Sequence, residues 1–166
     1  MLRILFVAAL IVVAGSLFGV RLIQSDLMTP RVAVVTPKPK LAADSRGVVI
    51  TSRDGHYATE ARVDGRDDIT FMVDTGATQI AIRESDAARL GYRPSASDYV
   101  VKISTANGEG RAASVELSSV EVGDIVVRDV RALIVPDDAL TVNLLGMSFL
   151  SRVRWTQERG ELVLEQ

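Results

Sequence analysis

From Gly47 to Gln166 the chain is a succession of short apolar or alternating runs, each stopped by turn-forming residues. Val48-Val49-Ile50 leads into Asp54-Gly55, and a roughly alternating stretch over 56–63 leads into Asp64-Gly65. Asp-Gly between such runs signals a hairpin, because the pair tolerates the positive φ angles that a tight two-residue turn requires. Runs at 69–73, 79–82, 99–105, 111–122 and 125–135 continue the series. Asn107-Gly108-Glu109-Gly110 is expected at one hairpin tip, Gly123-Asp124 at another, and Pro136 ends the run before it. A last hairpin is expected from 152–155 and 161–164 across Glu158-Arg159-Gly160. One short helix is predicted over 84–90, with Gly91 as its C-terminal cap, and 147–150 is expected to form a helical turn. So many short strands in about 120 residues predict an all-β domain, closed like a barrel rather than built on a parallel sheet. A domain of that size can bury its own core.

The N-terminal residues have a different character. No charge interrupts the chain from Ile4 to Val20. With Leu2, Leu22 and Ile23, that run approaches the roughly 20 residues needed to span a bilayer core. It exceeds the apolar core of a cleaved signal peptide and lacks a small-residue cleavage site, so a retained transmembrane helix over 1–23 is the expectation. Residues 24–45 read as a tether, with Pro30, Pro37 and Pro39 favouring an extended, stiff chain. The folded domain is therefore expected at 46–166, attached to a membrane through residues 4–23. The expected arrangement has the N-terminus in the cytoplasm and the domain on the far side of the membrane.

Composition removes several chemistries. The chain has no cysteine, which excludes disulfides, zinc-thiolate sites and thiol nucleophiles. A single histidine, His56, excludes a multi-histidine metal site within one chain. It sits beside Asp54-Gly55 and reads as a turn residue, with no Gly-x-Ser-x-Gly elbow to partner it. The formal charge of −2 and scattered arginines give no basic stripe for nucleic acid. Gly108-Glu109-Gly110-Arg111-Ala112-Ala113 fits a loose dinucleotide pattern, but a strand-like run follows it where a helix is required. Asp67-Asp68 and Asp137-Asp138 lack calcium-loop spacing and read as solvated turns.

The strongest chemical signal is Phe71-Met72-Val73-Asp74-Thr75-Gly76-Ala77-Thr78. An apolar run delivers a carboxylate, a hydroxyl and a glycine into one tight turn, and Ile80-Ala81-Ile82 resumes the sheet. Hydrolysis of a peptide bond by carboxyl groups needs a water held between two of them, sharing one proton. Two like charges that close cannot both ionise, so one group draws a proton from water while the protonated one polarises the carbonyl. The motif occurs once, so the pair requires a homodimer contributing Asp74 from each chain. In such a pair Gly76 permits close backbone approach. Thr75 can hydrogen-bond across to the second loop, and Thr78 can satisfy backbone groups beside the turn.

These residues resemble the retropepsin-like aspartic proteases, most closely their membrane-anchored bacterial branch, over about 46–166. The resemblance is carried by the octet at 71–78, by Thr105-Ala106-Asn107-Gly108, and by Leu144-Leu145-Gly146-Met147-Ser148-Phe149-Leu150. It implies a closed barrel that is half of an acid-protease fold, and a homodimer acting as an endopeptidase on extended polypeptide. Asp74 is then the catalytic residue, and Thr75, Gly76, Ala77, Thr78 and Gly146 support its loop. Thr105, Ala106, Asn107 and Gly108 belong to a substrate-covering flap. The resemblance implies no metal or organic cofactor, and placement on the periplasmic side of a bacterial inner membrane. The competing expectation is a catalytically silent module of the same fold that binds peptide or dimerises a membrane protein.

Overall fold

The computed structural model describes residues 47–105 and 108–166. The predicted membrane segment and linker, and flap residues Ala106 and Asn107, lie outside the described residues. No helix among the described residues is long and apolar enough to cross a membrane.

Ten strands follow in order: β1 (Gly47–Thr51), β2 (Ala58–Val63), β3 (Asp68–Val73), β4 (Ile80–Arg83), β5 (Val101–Thr105), β6 (Gly108–Val122), β7 (Ile125–Val135), β8 (Asn143–Leu145), β9 (Arg154–Glu158) and β10 (Glu161–Glu165). Two short helices interrupt them, α1 (Glu84–Arg89) and α2 (Met147–Leu150), with a 3-10 turn at Ala96–Asp98. The order β2-β3-β8-β4-β7-β6 closes on itself through a β2–β6 pairing, and β5 extends from β6 outside the ring. A separate three-stranded sheet runs β1-β10-β9. The all-β expectation holds, but the barrel is mixed: β3 runs parallel to β8, and β4 parallel to β7.

Closure depends on the turn at Asp64-Gly65. Asp64 has φ +53 and Gly65 φ +65, as the Asp-Gly signal predicted. At the end of β2 beside this turn, Arg62 pairs with Asp68 of β3 on one side and with Glu121 of β6 on the other, and Val63 pairs with Val120 of β6. Asp64 secures the seam, since Oδ1 accepts the Ser119 N–H at 3.0 Å and Oδ2 accepts the Tyr92 hydroxyl. Burial first and this hydrogen bond second raise the Tyr92 hydroxyl to about 12.

The long β6–β7 hairpin turns at Gly123, φ +54. Along β7 the buried side passes from Ile125 and Val127 to Val130, Ala132 and Ile134. That change of phase falls at Asp129, whose φ of +51 rotates the strand. The alternation of period two therefore holds in two halves. Phe71, Ile80, Ile82, Leu117, Ile125, Ile134, Leu145, Phe149, Leu150 and Leu164 fill the barrel.

Several predicted boundaries move. The run at 56–63 becomes strand only from Ala58, because His56 pairs back to Arg53 across Asp54-Gly55. The run at 99–105 starts at Val101, because Ser95 and Asp98 cap the 3-10 turn before it. The hairpin tip expected at 107–110 is tighter: Thr105 pairs with Gly108, so Gly108, Glu109 and Gly110 belong to β6. The 152–155 strand begins at Arg154 and continues to Glu158, because Ser151 and Arg152 still bond back to α2.

Candidate active site

Strands β3 and β4 are consecutive in the chain but not neighbours in the barrel, because β8 lies between them. The segment from Asp74 to Gln79 must therefore arch over the end of β8. Asp74 N–H bonds the Leu145 carbonyl at 3.1 Å, extending the β3–β8 pairing to the start of the arch. Gly76 N–H donates to Asp74 Oδ1 at 2.8 Å and fixes the carboxylate, which is half-buried. A Cβ at Gly76 would approach that same oxygen to 3.1 Å.

The chain leaving β8 passes under the arch at Gly146. Met147 N–H donates to the Ala77 carbonyl at 2.8 Å, and Ser148 Oγ accepts from Ile80 N–H at 2.9 Å. A Cβ on Gly146 would meet Ala77 O at 2.7 Å and the Gln79 carbonyl carbon at 2.6 Å, so no larger residue fits without moving the arch. Thr75 and Thr78 are exposed on the arch and Ala77 is half-buried.

On one side of the arch lies a cleft of about 390 Å³. Gly76, Ala77, Thr78 and Gln79 form one wall, and Val101, Ile103 and Thr105 of β5 form the other. Leu133, Leu140 and Leu144 belong to the small apolar cluster beneath β5. The β5–β6 hairpin thus overhangs the loop that carries Asp74. Thr105 Oγ1 donates to the Gly108 carbonyl at 3.0 Å, tying its tip. The structure brings Gly76, Ala77, Thr78 and Thr105 to one cleft, sets Gly146 behind them, and places Gly108 on the hairpin above.

Three contributors were not picked out from sequence. Asn143 is a lone polar residue in the apolar stretch before Gly146, and it is buried. Its Oδ1 accepts Arg83 N–H at 2.8 Å, and its Nδ2 donates to the Thr70 carbonyl at 3.0 Å and to Asp86 Oδ2 at 2.9 Å. One side chain thereby ties β8 to β3, β4 and α1, and a buried amide so fully bonded rigidifies what it joins. Gln79 lines the cleft, and its Oε1 is buried without a hydrogen-bond partner among the described residues. Asp137, expected in a solvated turn, accepts from Ser85 N–H and Oγ at the start of α1 and lies 3.5 Å from Arg83 Nε. Asp68 pairs with Arg62 at 3.2 Å. Among the described residues no group of acidic or histidine side chains could hold a metal ion. His56 is exposed in its turn, as the sequence suggested.

An Asp-Thr-Gly arch over a glycine, facing a hairpin across an apolar cleft in a closed barrel, defines a retropepsin-like aspartic protease domain. Residues 59–152, more than half of the chain, match the family described as "gag-polyprotein putative aspartyl protease", and the chain belongs to that family. The crystal structure of a retropepsin-like aspartic protease from Rickettsia conorii is 34% identical and superposes with a TM-score of 0.64, over 77% of this chain and 96% of that one. An uncharacterised protein from the cobV 5′ region of a Sinorhizobium species is 38% identical over 148 residues, 87% of this chain. An uncharacterised protein of Rickettsia prowazekii is 35% identical over 124 residues, 74% of this chain. The matches span 60% and 52% of the lengths of those two relatives.

Proposed function

We propose that the protein is an aspartic endopeptidase whose working unit is a homodimer, with Asp74 of each copy holding one water between them. The carrying observation is the Asp74 carboxylate, pinned by Gly76 N–H on an arch that Gly146 supports and whose residues Gly76, Ala77, Thr78 and Gln79 wall the cleft under the β5–β6 hairpin. Catalysis by a carboxyl pair depends on geometry held before substrate arrives. Each copy supplies one aspartate of this kind, so a second copy completes the pair. Thr75, exposed beside Asp74, is in position to bond the partner loop.

The substrate is an extended polypeptide. The cleft walls supply apolar surface from Val101, Ile103, Leu133 and Leu144 for side chains. Gln79 Oε1 supplies an acceptor for a peptide N–H, which answers the cost of leaving it unpaired. Thr105, Ala106, Asn107 and Gly108 cover the bound chain. Of the two carboxyl groups one must carry a proton, so turnover is fastest at acid pH.

The test is cleavage of a diverse peptide library by the full chain between pH 4 and pH 7, beside Asp74→Asn. Cuts confined to the unsubstituted protein support the reading, and equal cutting by Asp74→Asn removes it. The silent peptide-binding alternative predicts peptide retention without cuts in both proteins. We further propose that residues 4–23 anchor the chain in a bacterial inner membrane with the protease domain on the periplasmic side. Accessibility of the domain to added protease in spheroplasts, but not in intact cells, is the expected result.

A further inference from the structure

Among the described strands β5 pairs only with β6, so backbone pairing fixes the β5–β6 hairpin along one side and leaves its height over the arch unset. Side chains at the hairpin root supply what pairing does not. The chain enters β5 through the 3-10 turn at Ala96–Asp98, where Ser95 N–H and Ser95 Oγ both donate to Asp98 Oδ2 at 2.7 Å. The next residue, Tyr99, packs its ring against the barrel core and donates its hydroxyl to Glu84 Oε1 at 2.8 Å. Glu84 is the first residue of α1.

The residues that follow Glu84 hold the other parts of the site. Ser85 donates to Asp137 Oδ1 from its N–H at 3.2 Å and from its hydroxyl at 3.1 Å. Asp137 belongs to the loop after β7, in which Ala139 and Leu140 N–H fold back onto the Pro136 carbonyl at 3.0 and 3.1 Å. That loop is a ledge beneath the hairpin: a Cβ at Gly110 would lie 3.9 Å from the Ala139 Cβ, and Leu140 belongs to the apolar cluster under β5. Asp86 accepts from Asn143 Nδ2 at 2.9 Å, and Asn143 opens β8, the strand whose exit supports the arch. Successive side chains in the first turn of α1 therefore reach the hairpin root, the ledge and the arch strand.

We infer that Tyr99 is a positioning residue, whose hydroxyl on Glu84 sets the β5–β6 hairpin over the Asp74 arch at the height at which substrate binds. The inference rests on the protease reading above and adds to it a residue that does not line the cleft. Tyr99 acts through β5, whose first residue, Val101, already forms part of the cleft wall. Val100, between them, keeps 66% of its surface in solvent, so the short link gains no hold from burial of its own. Burial first, and the bond to Glu84 second, hold the Tyr99 hydroxyl up at about 12. It therefore stays a donor wherever two carboxyl groups can share a proton.

The bond could instead be a stitch that stabilises the fold and does nothing for substrate. The two roles differ in what they move. A stitch lowers the melting temperature and leaves substrate affinity alone. A mount changes the fraction of molecules whose hairpin is correctly set, and apparent affinity falls with that fraction.

The chain contains no cysteine, so paired spin labels report on the hairpin directly. Labels at Glu109→Cys on the hairpin and Arg128→Cys on β7, both exposed, are expected to give one narrow distance distribution in the full-length protein. Tyr99→Phe keeps the ring and removes the hydroxyl. It is expected to broaden the distribution and to raise KM about three-fold for a peptide that the parent cuts, with kcat nearly unchanged. Glu84→Leu is expected to do the same. Glu84→Gln keeps an acceptor oxygen and is expected to stay far closer to the parent in both readouts. Tyr99→Phe combined with Glu84→Leu is expected to be no worse than either alone, because both remove one bond. Thermal melts confirm that each variant folds.

A lowered melting temperature with KM and label distances unmoved overturns the inference, as do additive losses in the double variant. Cleavage measured on the same samples separates the two readings. Cutting by Tyr99→Phe with the parent's KM and label distances removes the mount alone. Broadening that Glu84→Leu reproduces and Glu84→Gln does not, in a protein that cuts no peptide, retains the mount and removes the protease.

Discussion

The Asp74 arch and the β5–β6 hairpin face each other across one cleft, and they are held in opposite ways. The arch is fixed from below: Asp74, Ala77 and Ile80 all bond to the segment that runs from Leu145 to Ser148, and Gly146 leaves no spare volume. The hairpin is held from one side, since among the described strands β5 pairs only with β6 and stands outside the closed ring. Under the proposed function, a carboxylate that meets its twin in a set geometry belongs on the first kind of element. Under the same proposal, a cover that admits and releases a long chain belongs on the second. The contrast predicts that substitutions in and under the arch act on chemistry and stability together, and that substitutions in the hairpin act on substrate handling alone.

The largest effect is expected at the arch itself. Asp74→Asn should lower turnover on the order of 10³-fold or more, with the melting temperature little changed. A folded variant retaining most of its rate would break the comparison at its root. Gly146→Ala comes next. The added methyl has no room against Ala77 O and the Gln79 carbonyl, so a loss of about 1–3 kcal/mol is expected in urea unfolding, together with a fall in kcat. Asn143→Ala should cost a similar amount, about 1–3 kcal/mol, because Arg83 N–H and the Thr70 carbonyl lose their side-chain partner. If Asn143→Ala were neutral for both stability and activity, the arch would owe its rigidity to Gly146 alone.

Away from the cleft, Tyr92 tests the barrel seam by pH. Its hydroxyl is held up at about 12, by burial first and then by its hydrogen bond to Asp64. A group raised above its unfolded value of about 10 stabilises the fold fully below that pH and loses the contribution as pH climbs to about 12. The melting temperature should therefore fall between pH 10 and pH 12, and fall less steeply in Tyr92→Phe. The smallest effect is expected at the cover. Ile103→Ala trims the wall facing the arch and should raise KM a few-fold, with kcat and stability nearly unchanged. A large loss of stability there would show that the hairpin belongs to the rigid half.

Much of this was legible in the sequence because it is local. The Asp-Gly turns carry their own φ requirement, and Asp54, Asp64 and their glycines adopt it. Strand β7 was found to the residue because alternation and Pro136 mark its limits, and the helical turn at Met147–Leu150 was found likewise. Boundaries slipped where a local backbone bridge, or a cap close by, competed with the strand pattern, as at His56 and at Ser95-Asp98. Asn143 escaped notice because one polar residue in an apolar run carries no sign of the three partners it bonds.

The chain alone determined that Asp74 would stand at the end of a buried strand in an all-β domain, and that one copy would hold one such aspartate, since motif and periodicity are properties of neighbouring residues. Only the tertiary structure decided that β8 would slide between β3 and β4, making parallel pairs in a barrel of hairpins and obliging the arch to cross above Gly146. It also decided that β10 would be enclosed and β9 left open. Those outcomes rest on which strands find each other across long stretches of chain, and backbone hydrogen bonding is the same for every pair. The choice falls to burial and shape, which exist only once the whole barrel has closed.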